Sequence, residues 1–383
     1  VRIAAISDLA PGSHRAYAIN VVKTCGGFVR LGHEVTVFCR RPERGWTLAS
    51  AANAYAEPRV RFGCADLPDQ RDDLLVNGAY LREFAGWAAE RIAREGYDLV
   101  YARHCRGALA CAERGVPAVL ETHLDIDGDA LGGISALRAV GRAERPILAC
   151  VTISPVLAEK YVSLGAAADR VVVVPDAVDT ELFAPPEEAG VSPYDAWPGP
   201  HVVYAGHLYA YKGVGTLLRA ASLLEGMTVH LVGGTDGDVL AARRSAASLG
   251  LRNVDVRGRV QFSRVPPHLW HADVLVLPPS GKHPSAAWTS PVKLGEYLAS
   301  GRPIVASDVP ALRALVREPA VRWFTPDDPA DLARAVRSAL GESDQEGAAR
   351  VEAARALAER YSYANRARAI LRAAGVSAGA MAA

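Results

Sequence analysis

Lysine is scarce in this chain: only Lys23, Lys160, Lys212, Lys282 and Lys293 occur among 383 residues. A lysine beside a glycine or a helix start therefore carries information. Blocks of one charge are also missing, and the formal net charge is +1; this gives no footing to a nucleic-acid partner or a strongly basic membrane-surface protein. No apolar run approaches the ~20 residues that a membrane span needs, so no membrane insertion is expected. Cys25, Cys39, Cys64, Cys105, Cys111 and Cys150 all lie in the first half and show no CxxC or zinc-type spacing. They read as reduced thiols of a cytoplasmic protein. Val1 to Ser7 is strand-like and lacks a basic stretch followed by an apolar one, so no signal peptide is expected. The turn after that strand lacks GxGxxG, which argues against a dinucleotide on the first half.

What is present is β/α alternation. Half of the residues are apolar, and the length suits two domains. In the first half, Ile3–Ser7, Val35–Phe38, Leu99–Tyr101, Ala118–Thr122, Leu148–Ile153 and Val171–Val174 read as strands. Helices are expected near 18–31, 77–94 and 107–112, with another that Ser154 caps and Pro155 begins. Gly26 and Gly27 fall inside the first helix, where they permit close backbone contact with a neighbour or a ligand. Periodicity is lost from Pro175 to Pro200, where prolines collect. The alternation then restarts: strands Val202–Ala205, Thr228–Val232, Val254–Arg257 and Val274–Leu277, with helices from about Thr216, over Leu240–Leu249 and near Pro266–His271. Asp328 starts one more helix, and helical patterns over 348–361 and 364–374 finish the chain. The expected architecture is α/β, two Rossmann-like doubly wound parallel-sheet domains facing a cleft. The boundaries drawn are 1–185 for the first domain, 186–200 for a linker and 201–361 for the second domain.

Thr289 to Asp308 is the most informative stretch. Ser290 is a good N-cap, Pro291 suits the first helical position, Gly301 can take the left-handed position past the helix end, and Ile304–Ala306 read as a buried strand. The free N–H groups at the helix start form an anion site, and Glu296 lies above it on the face of Val292 and Lys293. A solvated Lys293–Glu296 pair explains the same residues equally well. Three loops, 206–213, 258–265 and 278–290, fall at strand carboxyl ends. Lys212, beside Gly213 and just before a helix, can reach a diphosphate at the Ser290 helix start; it also reads as a surface lysine. His207 either donates a hydrogen bond or packs, and Val260 lies in a glycine-flanked loop able to read a base edge. In the first half, His123 follows Glu121 at a strand end and can hydrogen-bond a sugar or a leaving group, although a lone histidine is more often structural. Ser13 and His14 sit on the first loop, where an acceptor would bind; loop polarity alone explains them equally well.

These residues carry a resemblance. Gly206-His207-Leu208-Tyr209-Ala210-Tyr211-Lys212-Gly213 together with Ser290-Pro291-Val292-Lys293-Leu294-Gly295-Glu296-Tyr297 resembles the donor signature of retaining GT-B glycosyltransferases of family 4. Gly32-His33-Glu34-Val35, Pro175-Asp176-Ala177-Val178-Asp179 and Arg302-Pro303-Ile304-Val305-Ala306-Ser307 match in the same order. The resemblance implies a UDP- or GDP-linked sugar donor on the second domain, an acceptor on the first, no cofactor and no metal. It implies Glu296 on the ribose, Lys212 on the diphosphate with Gly206, His207 and the amides around Thr289, Ser290 and Val292, the Val260 loop at the base, and His123 as the catalytic residue beside the transferred sugar. The final helix, about 362–383, would cross back onto the first domain.

Two positions depart from the pattern. Trp288 replaces the usual glutamate eight residues before Glu296, and His207 replaces an arginine. The expected function is retaining transfer to a soluble small-molecule acceptor, possible in natural-product biosynthesis. The alternatives are a transferase building a cell-surface glycan or glycolipid, and a nonenzymatic nucleotide-sugar binder.

Overall fold

The computed structural model describes residues 1–65, 67, 78–129, 132–142, 146–188 and 190–376. The chain forms two compact units, Val1–Ala177 joined by the segment from Tyr363 onward, and Val178–Ser362.

The first unit is built on a seven-stranded parallel sheet: β1 (Arg2–Ile6), β2 (Glu34–Cys39), β3 (Arg61–Cys64), β4 (Leu99–Ala102), β5 (Ala118–Glu121), β6 (Ile147–Thr152) and β7 (Val171–Val173), in the order β3-β2-β1-β4-β5-β6-β7. β4 and β5 are buried throughout, as strands covered by helices on both faces must be. Ser154 Oγ accepts the Leu157 N–H at 3.3 Å and Pro155 opens the helix Pro155–Ser163, as its sequence predicts. The paired glycines of the helix Ala16–Arg30 are close approaches to protein. A Cβ on Gly26 would lie 2.0 Å from Glu57 Oε2, and one on Gly27 would lie 2.5 Å from the Tyr363 carbonyl oxygen. Lys23 Nζ pairs with that same Glu57 at 2.7 Å.

The C-terminal helix Tyr363–Ala373 packs on the helix Ala16–Arg30, so the end of the chain does return to the first unit. Its anchor is Arg366, which is 3% exposed, against Glu121 at the end of β5, which is 0% exposed. One Arg366 terminal nitrogen donates to Glu121 Oε1 at 2.5 Å, and the other to the carbonyls of Val174 and Pro175. Tyr101 Oη donates to the second carboxylate oxygen at 2.8 Å. Burial pushes the Glu121 carboxyl up, but Arg366 and Arg103, then His123, outweigh it and hold it well below the usual range.

The second unit has a six-stranded parallel sheet: β8 (His201–Ala205), β9 (Thr228–Val232), β10 (Val254–Gly258), β11 (Val274–Leu277), β12 (Ile304–Ser307) and β13 (Arg322–Phe324), in the order β10-β9-β8-β11-β12-β13. This is the dinucleotide-fold order, with its switch point between β8 and β11. One core joins Val202, Tyr204 and Leu231 of the strands to Leu217 and Val336 of the helices.

Several boundaries move. The stretch expected to be a linker, 186–200, belongs to the second unit, where Tyr194 is buried and its Oη donates to the His268 carbonyl at 2.9 Å; the preceding turn Thr180–Phe183, with Phe183 buried, belongs there too. The unit boundaries therefore fall after Ala177 and Ser362 rather than at 185 and 361. The helix Gly78–Glu95 covers the expected one, whose first residue, Asn77, lies outside the described residues, as do 377–383. The strands β3 and β13 and the helices Leu48–Ala54, Gly133–Ala139 and Pro310–Leu315 were not expected from sequence.

Removing Arg366 would leave a buried carboxylate without its main cation. Arg366→Met should cost about 3–5 kcal/mol and lower the thermal unfolding temperature. Because the folded pKa of Glu121 is depressed, the stabilisation it contributes is present above the unfolded carboxylate pKa and fades as pH falls below it. The gap between wild type and variant should therefore narrow from pH 7 toward pH 3, measured by circular dichroism.

Candidate functional site

Glycines shape the carboxyl end of the second sheet. Gly206 follows β8 at φ +144° and Gly233 follows β9 at φ +122°, and a Cβ on Gly233 would lie 2.2 Å from the Gly206 carbonyl oxygen. The amide of Gly206 donates to Val232 at 2.8 Å, and that of Gly233 to Gly258 at 2.7 Å. Backbone thus packs on backbone where the loops leave β8, β9 and β10. The loop after β8 closes in a single turn, Ala210–Lys212, and Gly213, at φ +79°, starts the helix Val214–Ala221. A Cβ on Gly213 would fall 1.6 Å from the Pro278 carbonyl oxygen, so only glycine fits there.

Two lysines converge on this loop. Lys212 is half-buried, and burial lowers its pKa. Lys293 reaches back from the helix Val292–Ala299. Its Nζ lies 2.6 Å from Tyr204 Oη and 2.3 Å from where a Cβ on Gly206 would sit. Burial first, then Lys212, push the Lys293 ammonium well below its ordinary pKa, with Glu296 acting the other way. Glu296 is raised to about 7 by burial, opposed by Lys293. Among the described residues, neither lysine has a carboxylate within ion-pair distance. The solvated Lys293–Glu296 pair is therefore not what forms: Tyr204, itself fully buried in β8, takes the ammonium.

The helix begins at Val292 with Pro291 in the cap position and no side-chain cap; Ser290 is buried and is not the N-cap that the sequence predicts. Its other end is as expected, with Gly301 left-handed at φ +71°. Thr289 donates its amide to the Ser285 carbonyl at 2.9 Å, and Trp288, half-buried, closes the turn Pro284–Ala287. Val260 is half-buried in the loop after β10. The His207 ring stacks on Tyr209 at 5.0 Å, and burial, Lys293 and Lys212 all depress its pKa. Gly206, His207, Lys212, Lys293 and Glu296 thus share one neighbourhood.

In the first unit, His123 is held from both sides. Its Nε2 lies 2.8 Å from Glu121 Oε1, its Nδ1 lies 3.4 Å from an Arg103 terminal nitrogen, and Asp176 is 4.0 Å from Nδ1. Burial and then Arg103 lower its pKa, opposed by Asp176 and Glu121. The neutral ring donating from Nε2 and accepting at Nδ1 satisfies both neighbours. Ser13 is buried, with its carbonyl accepting from Tyr55 Oη at 2.8 Å, and His14 packs edge-on against Trp46 at 5.9 Å.

Known proteins match this chain in sequence and fold. Residues 199–342 match the family described as glycosyl transferases group 1, and residues 17–177 match the glycosyl transferase 4-like domain. Together the two matches span most of the chain, and both are glycosyltransferase families. It is 29% identical over 355 residues to D-inositol 3-phosphate glycosyltransferase 1 of Catenulispora acidiphila, covering 82% of this chain and 81% of the relative. HepE of Anabaena, in a crystal structure with UDP-glucose, superposes with a TM-score of 0.71 at 18% identity, over 98% of this chain and all of the other. Sucrose-phosphate synthase of Thermosynechococcus elongatus does so with a TM-score of 0.74 at 18% identity, over 97% of each. The fold is GT-B, and the protein is a glycosyltransferase that uses nucleotide-sugar donors.

For this glycosyltransferase, sequence reasoning saw Lys293 only as half of a possible pair with Glu296 and overlooked Tyr204, Arg103 and Arg366. The scarcity of lysine was the one signal that pointed to Lys293. No helix of the described residues is long and apolar enough to cross a membrane, and all six cysteines are unpaired, Cys39 and Cys64 facing each other with sulfurs 3.7 Å apart.

The raised pKa of Glu296 has a stability consequence. A carboxyl whose folded pKa exceeds its unfolded value destabilises the fold once it must ionise; the penalty starts above the unfolded pKa and is complete above about pH 7. Glu296→Gln should therefore stabilise the ligand-free enzyme at pH 8, on the order of 1–2 kcal/mol given the partial exposure of the group. At pH 4 it should change nothing. Thermal melts at the two pH values check this.

Proposed function

We propose that the enzyme transfers a sugar, with retention of anomeric configuration, from a UDP- or GDP-linked donor held by the second unit to a soluble small-molecule acceptor held by the first. The observation that carries the donor site is the pair of desolvated lysines without a carboxylate partner, beside a carboxyl poised near neutrality. Lys212 binds the diphosphate. Glu296 accepts from the ribose hydroxyls, which restore the hydrogen bonds that its ionised form lacks in the empty site. The amides near Ser290 and Val292 complete the phosphate contacts, and the Val260 loop meets the base.

The chemistry follows from the charges. The bond from the anomeric carbon to the diphosphate oxygen breaks, the acceptor oxygen bonds to that carbon on the same face, and the acceptor proton passes to the departing phosphate oxygen. Fixed ammonium groups stabilise the developing negative charge, so the reaction proceeds without a metal or cofactor. His123, held neutral and oriented by Glu121 and Arg103, is assigned a place beside the transferred sugar, where it adds no charge. Ser13 and His14 belong to the acceptor side. Small polar acceptors are favoured because the relative sharing most of the chain is named for D-inositol 3-phosphate. A role in the biosynthesis of such products within the cytoplasm suits the unpaired cysteines.

The test is donor turnover. With UDP- and GDP-sugars and a panel of polyol, sugar-phosphate and natural-product acceptors, wild type should release nucleoside diphosphate in chelator-treated buffer. Lys212→Ala and Glu296→Ala should each lower kcat/KM by about 100-fold or more, and proton NMR of the product should show the donor's anomeric configuration. Tight donor binding without turnover across the panel would reduce the protein to a nucleotide-sugar binder, and an inverted product would end the retaining mechanism.

A further inference from the structure

The donor site as read from sequence has one cation, Lys212, because residue 207 is a histidine. His207 adds no charge at neutral pH: burial and both lysines hold its pKa down. A dianionic diphosphate facing one ammonium would keep half of its charge unmatched in a half-buried pocket.

We infer that Lys293 is a ligand of the donor diphosphate, supplying the second cation that residue 207 does not. The inference rests on the donor-site reading given above and assigns a further residue to it. Four observations carry it. The Lys293 ammonium lies at the end of β8, within 2.3 Å of where a Gly206 side chain would begin, so glycine at 206 keeps that space open for it. Its only hydrogen bond among the described residues is to Tyr204 Oη, at 2.6 Å, which leaves the remaining N–H donors for a ligand. Tyr204 is a rigid support: it is fully buried, and its hydroxyl hydrogen is committed to the His207 carbonyl, so its oxygen can only accept from Lys293. Lys212 acts directly on Lys293, so the two charges occupy one field, and the nearby carboxyl, Glu296, is pushed up by burial and cannot neutralise both. Two desolvated ammonium groups held together repel in the empty protein, and a dianion between them removes that repulsion.

Titration calorimetry with UDP and GDP, and ligand-observed NMR with uridine and guanosine, separate a phosphate role from a structural one. Lys293→Met should weaken binding of whichever diphosphate the wild type prefers by about tenfold to a hundredfold while leaving the nucleoside alone unaffected. Lys293→Arg should recover most of the loss, and His207→Arg added to Lys293→Met should recover part of it by returning a cation to the same loop. The Lys293→Met protein should melt no lower than wild type, since a desolvated charge has been removed. Undiminished diphosphate affinity in Lys293→Met, with affinity lost in Lys212→Met, would overturn the inference and leave the donor site standing. Loss of nucleoside binding in Lys293→Met would make its role structural and overturn it too. Failure of the wild type to bind either diphosphate would end the donor-site reading itself.

Discussion

Two half-buried lysines in one neighbourhood, neither ion-paired to a carboxylate among the described residues, are the constraint around which the carboxyl edge of the second sheet is arranged. Water-exposed lysines repel weakly; here burial lowers the pKa of both, and Lys212 adds to the lowering of Lys293. Holding Lys212 and Lys293 together needs a rigid frame. The frame is the carboxyl edge of the parallel sheet, where Gly206 and Gly233 pack backbone on backbone and Gly213 sits against the Pro278 carbonyl. Tyr204 fixes one ammonium from within the core. The arrangement is unfavourable when empty and favourable with an anion present, which is the property a donor site for a charged leaving group needs.

The first unit solves the opposite problem. There the buried charge is a carboxylate, Glu121, and it is surrounded by cations and donors: Arg366, Arg103, Tyr101 and His123. The result is a closed network that orients His123 and ties the C-terminal helix to the end of β5. Cutting it at Arg366 would affect both docking of that helix and the histidine's tautomer, because one carboxylate oxygen serves both.

Much of this was legible in the sequence. Thr228–Val232 and Val274–Leu277 were read with their observed bounds, since strands covered on both faces are predominantly apolar. The family, the fold and the neighbourhood of Gly206, Lys212 and Glu296 followed from residue order. What escaped had no local signal. β3 and β13, Arg61–Cys64 and Arg322–Phe324, are short edge strands without an apolar run. The helix Gly133–Ala139 starts from a left-handed glycine without a side-chain cap. Lys293 looked like half of a surface pair because its spacing to Glu296 is local, whereas its partner Tyr204 is 89 residues away. Trp288 and His207 were noticed as departures; the structure shows that a lysine from another element stands beside residue 207.

The central claim is that the lysine pair forms the diphosphate site. A crystal structure of the enzyme with UDP or GDP bound tests it most directly. The account predicts phosphate oxygens within about 3 Å of both Lys212 Nζ and Lys293 Nζ, with the ribose hydroxyls on Glu296. A diphosphate bound clear of Lys212, or one that leaves Lys293 touching only Tyr204, would contradict it.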